Sequence, residues 1–124
     1  MGLDDIKTID IVLNPTPHAK VTLLIVDGQP HADEEIRFNK FLKKLGGYVA
    51  YVTGPEFAKN HPGVETKDVL IGVLCAQPPN EVMKEMKEVR PSGKPDLSIR
   101  VICTQYRPGD EIPWFIRPDG VPPT

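Results

Sequence analysis

The densest group of chemically capable side chains in this sequence is Asp27, His31, Asp33, Glu34 and Glu35. It follows an apolar run over 20–26, at the carboxyl end of a strand and the start of a helix. α/β folds often hold ligands at such places. An imidazole among carboxylates has the chemistry to bind a divalent cation or to act as a general acid/base pair. The same residues also serve plain structure: Asp27-Gly28 makes a turn, and Asp33, Glu34 and Glu35 suit the positive end of a helix dipole.

Other chemistry is sparse. His18, His31 and His61 each fall in a proline-containing stretch with no His-x-x-x-His spacing, and read as loop histidines. Cys75 and Cys103 sit inside apolar runs without a C-x-x-C neighbour, and read as reduced cysteines packed as small hydrophobes. A disulfide between them would require neighbouring strands. Serine occurs only at Ser92 and Ser98, and there is no nucleophile elbow, phosphate loop or dinucleotide fingerprint. Neither a metal nor a cofactor is expected.

The segment from Tyr106 to Thr124 carries five prolines, which rule out a long helix or a central strand. It also holds the only tryptophan, in the cluster Ile112, Trp114, Phe115 and Ile116. Buried, each of these would contribute roughly 1.5–3 kcal/mol; exposed, they would form a binding patch. Two readings stand side by side. Either the tail folds back onto its own domain, or it docks on a second copy (a homodimer) or on another protein.

Several elements must position these groups. Strands are expected at 9–13, 20–26, 68–75 and 97–104, the first two as an antiparallel pair across a wide Pro-containing loop. A helix opens at Ala32 or Asp33, with Phe38, Phe41, Leu42, Leu45, Val49 and Val52 as its buried stripe and Arg37, Lys40, Lys43 and Lys44 on other faces. Either the helix ends at Gly46-Gly47 and Tyr48–Thr53 form a strand, or it runs through to about Thr53; the stripe keeps its phase across the glycines, which favours the continuous helix. The polar connection 55–67 has room for a helical turn at Pro55–Asn60. A second helix follows Pro78-Pro79-Asn80, with Val82, Met86 and Val89 on its buried face and Met83 beside it. The fold class is therefore α/β (α+β). It is a two-layer sandwich in which a mixed sheet of about four strands, in the chain order β-β-α-β-α-β, carries two helices on one face. Residues 1–105 form one domain and 106–124 a Pro-rich C-terminal tail.

The 124 residues carry a formal net charge of −2, with 40% apolar and 26% charged residues, a globular balance. Nothing in it draws the chain to nucleic acid: the basic residues Arg90, Lys94, Arg100 and Arg107 have only Tyr106 as a neighbouring aromatic. No membrane span and no signal peptide are expected, which gives a cytoplasmic location by default.

Particular residues also carry a resemblance. They are Asp4-Asp5-Ile6-Lys7-x-Ile9-Asp10, the strand ending in Asp27, the helix bearing Leu45-x-x-Tyr48-Val49-x-x-Val52, the Gly54/Pro62 connection, and the strand and Pro-opened helix beyond it. Over about residues 3–90 the chain resembles a family of small uncharacterised bacterial proteins, known only as a domain of unknown function. The resemblance implies a compact α/β fold, a bacterial source and a helix continuous through Gly46-Gly47. It brings no activity with it, and the last strand and tail depart from its pattern. The functional expectation is a non-catalytic protein-interaction module. The alternative is a small-molecule or metal-dependent enzyme using the Asp27, His31 and Glu34 loop.

Overall fold

The computed structural model describes residues 11–13, 19–28, 32–91, 93–94, 96–107 and 109–117. Its centre is three parallel strands: the largely apolar β2 (Val21–Asp27) and β3 (Val69–Cys75), and β5 (Ile99–Gln105), which carries Ile99, Val101 and Ile102 among more polar residues. Short antiparallel strands flank them, β1 (Ile11–Leu13) on β2 and β4 (Glu88–Val89) on β5, in the order β1-β2-β3-β5-β4. Parallel neighbours need crossovers. The link from β2 to β3 carries α1 (Glu34–Val52) and α2 (Pro55–Asn60), and the link from β3 to β5 carries α3 (Glu81–Glu85). This mixed five-stranded sheet with three helices is the expected α+β class. The additional strand is Glu88–Val89, which pairs with Arg100 and Ile99.

Side chains alternate across a strand, and that alternation sorts the core. Leu23, Ile25, Ile71, Val73 and Val101 face Phe41, Leu45 and Tyr48 of α1, Phe57 of α2 and Met83 of α3. Leu24, Leu70 and Leu74 face the other way, onto Phe115. All the helices thus pack on one face, and the C-terminal segment lies on the other.

α1 starts where Asp33 accepts a hydrogen bond from the Ile36 amide at 3.1 Å. It continues unbroken through Gly46-Gly47. Each glycine costs a helix about 1 kcal/mol, less than the burial of one aliphatic side chain contributes. A Cβ built on Gly46 meets nothing within 4 Å. Gly46→Ala is therefore expected to stabilise the fold by about 0.5–1 kcal/mol, read as a higher urea midpoint at unchanged slope.

Two expectations need correction. At 100° per residue the buried arc of α1 holds Arg37, Phe41, Lys44, Leu45, Tyr48, Val49 and Val52. Leu42 lies just past its edge and is 42% exposed, whereas Arg37 and Lys44 point inward. The second helix forms where expected but is only five residues long. α3 stops at Glu85, buries Met83 and leaves Val82 exposed. Met86 is already extended, and the chain enters β4 rather than carrying Val89 on a helix. There the Lys87 carbonyl accepts the Val101 N–H at 2.9 Å, a bond that a longer helix would forfeit.

Candidate functional site

The three parallel strands end together, at Asp27, Cys75 and Gln105. This end of the sheet is organised by Arg37. Its Nε donates to Asp27 Oδ2 at 3.0 Å and its Nη1 to Glu34 Oε2 at 3.1 Å. The remaining donors reach the carbonyls of Pro78 at 2.9 Å and Gln77 at 3.2 Å. Asn80 then ties Glu34 to α3 at 3.2 Å and caps that helix by accepting the Met83 amide at 2.8 Å. One guanidinium fork thus joins β2, α1 and the β3–α3 loop, a task that its planar donor set suits. Burial alone would lower the Arg37 pKa. The hydrogen bonds to Glu34 and Asp27 outweigh it and hold the group above its ordinary value.

The predicted polar residues meet different fates here. Asp27 and Glu34 are brought together, but on Arg37. Asp33 is a helix cap. His31 lies outside the described residues, as does His18, while His61 stacks 4.8 Å from the Phe57 ring. No group of three or more His, Cys, Asp or Glu side chains able to hold a metal ion occurs among the described residues. Sequence reasoning missed Arg37 by placing it on a solvent face. Its spacing of four from Phe41 was the available signal.

Cys75 and Cys103 are free thiols on adjacent strands, offset by two residues in register. Burial pushes the Cys75 thiol up to about 11, opposed in part by Arg37. Burial, then the neighbouring Cys75, pushes Cys103 up to about 12. Both stay protonated at neutral pH, whereas nucleophilic chemistry needs the thiolate.

The opposite face carries the tail residues. Trp114–Ile116 form a single 3₁₀ turn whose Phe115 is fully buried. Its ring sits over Gly72 in mid-β3, where a Cβ would lie 2.6 Å from Phe115 Cε2. An isolated glycine inside an apolar strand signals such a close approach. Trp114 meets Phe115 edge-on at 5.7 Å. Beside this plug, toward the strand ends, lies a cavity of about 560 Å³. Ile11, Val26, Leu74, Tyr106, Ile112 and Ile116 supply its apolar wall, and Asp27 and Gly28 reach its rim. Ile112 remains 55% exposed at this cavity. The four tail residues therefore split: Phe115 is consumed by the fold, Trp114 and Ile116 are half-buried, and Ile112 faces outward.

Comparisons with protein-family models, with curated proteins and with solved structures find no match. Among the described residues no helix is long and apolar enough to cross a membrane.

Proposed function

We propose that the chain is a non-catalytic protein-interaction module. Its C-terminal segment docks on its own sheet through Phe115, and an apolar side chain of a partner protein enters the cavity beside it. The observation that carries this reading is that cavity: about 560 Å³, walled by aliphatic and aromatic side chains and flanked by exposed Ile112. Its size falls in the range of natural binding pockets. Among its described lining residues the one carboxylate, Asp27, is already engaged by Arg37, so apolar burial rather than a polar anchor would drive association. Nothing in the arrangement of Asp27, Asp33 and Glu34 favours the enzymatic alternative.

Panning the protein against a random linear-peptide library tests this. Peptides with a bulky apolar anchor are expected to be enriched and to displace the apolar dye ANS. Ile112→Asp, an exposed substitution that spares the core, should lower their affinity about tenfold or more. Peptides that bind the Ile112→Asp variant as well as the parent, or a library with no enrichment, would overturn the reading.

A further inference from the structure

A second surface lies across the sheet from that cavity, at the outer edge of β5. β4 covers only Ile99 and Arg100 of this seven-residue strand. One more bond, from the Val101 N–H to Lys87, closes the pairing. Backbone groups alternate sides along a strand. Val101 therefore shares its outward direction with Cys103 and Gln105, and Tyr106, one residue on, donates inward to the Cys75 carbonyl at 2.8 Å. Among the described residues no backbone group pairs with the outer side of Cys103 or Gln105. Proteins usually cover or charge such an edge, because it templates pairing with another chain.

This edge has both a cleft and a charge. The cleft measures about 280 Å³ and is lined by Lys84, Lys87 and Arg100 together with Leu70, Ile102 and Trp114. Among the described residues three cations and no carboxylate line it, in a chain whose net charge is −2. Lys84 also reaches Glu81 at 3.5 Å, an exposed pair that an incoming carboxylate can replace.

We propose that Ile102–Gln105 accepts an extended acidic segment of a partner protein as an added strand. Its main chain would bond Cys103 and Gln105, an apolar side chain would enter the cleft against Ile102 and Trp114, and its carboxylates, on the alternate face, would meet Lys84 and Lys87. Main-chain bonds give affinity in this mode, and pockets for alternate side chains give selectivity. The surface shares neither Ile112 nor the larger cavity, so it stands or falls separately from the reading above.

The probe is the heptapeptide Glu-Val-Glu-Val-Glu-Val-Glu, with its Lys-for-Glu counterpart as control, titrated into the full chain. The only tryptophan, Trp114, reports binding by fluorescence. At saturation the amide hydrogens of Cys103 and Gln105 should exchange about tenfold more slowly or better. The exposed pair Lys84→Glu and Lys87→Glu should weaken binding at least about fivefold. Gln105→Pro, which removes one outward donor, should weaken it with the circular dichroism spectrum retained. Unchanged exchange at these two amides, equal binding of the Lys peptide, or indifference to the double charge reversal would overturn the proposal. Concentration-dependent protection of the same amides without peptide would also overturn it, by making a second copy of the chain the occupant.

Discussion

Arg37→Ala is expected to lower the unfolding free energy by about 3–5 kcal/mol, the cost of removing one member of a buried ion pair. The loss has three parts. Asp27, 1% exposed, loses the cation beside it. The carbonyls of Gln77 and Pro78 lose their guanidinium donors. The start of α1 loses its guanidinium link to the β3–α3 loop and keeps the Asn80–Glu34 bond. Arg37→Lys keeps the charge but presents it as a point, so it cannot reach these partners in one plane and should recover less than half of the loss. A double-mutant cycle with Asp27→Asn should give a coupling of about 1.5 kcal/mol or more. Urea denaturation followed by circular dichroism measures the parent and all four variants. If Arg37→Ala moved stability by no more than about 0.5 kcal/mol, it would behave as a surface change, and the inward placement of this side chain would be wrong.

That side chain also marks where the sequence stops being readable. Apolar runs of strand length and a single helical phase across Gly46-Gly47 locate β2, β3, β5 and α1, because burial on a sheet or a helix leaves a period in the residue pattern. The period does not say which charged residues share the buried arc. Arg37 and Lys44 fall within it: the polar end of Arg37 is accommodated by Gln77 and Pro78, distant in sequence, while Lys44 Nζ lies 6.0 Å from the ring of Tyr48, one helical turn on. The stretch after Asn80 fails for a related reason. Val82, Met86 and Val89 have helical spacing, but the β5 edge offers the backbone at Lys87 and Glu88 a ladder. Tertiary hydrogen bonding then overrides local spacing. In the polar cluster, residue types alone cannot separate a ligand site from an internal clamp, because both use carboxylates. Only the buried guanidinium between Asp27 and Glu34 tells them apart.

The second large effect is expected at Phe115, and it tests whether the tail belongs to the fold. Phe115→Ala removes a fully buried ring and should cost about 3–5 kcal/mol. Gly72→Ala should cost about 1–3 kcal/mol, since its Cβ would sit 2.6 Å from Phe115 Cε2 and 2.9 Å from Leu24 Cδ2. The two changes are not additive. With the ring gone, the new methyl occupies vacated space, and only the mobile end of Leu24 must shift. In the Phe115→Ala background Gly72→Ala should therefore be neutral or stabilising, because alanine loses less backbone freedom in a strand than glycine does. Trp114, edge-on to Phe115, reports the segment separately from the helices. In the parent protein its fluorescence and the circular dichroism signal should lose structure at one urea concentration. In Phe115→Ala the fluorescence should change first, as the segment detaches from a sheet that stays folded. Additive costs at Gly72 and Phe115 would mean that the ring does not rest on β3. The C-terminal segment would then be a free arm, and the cavity beside Ile112 would lose one of its walls.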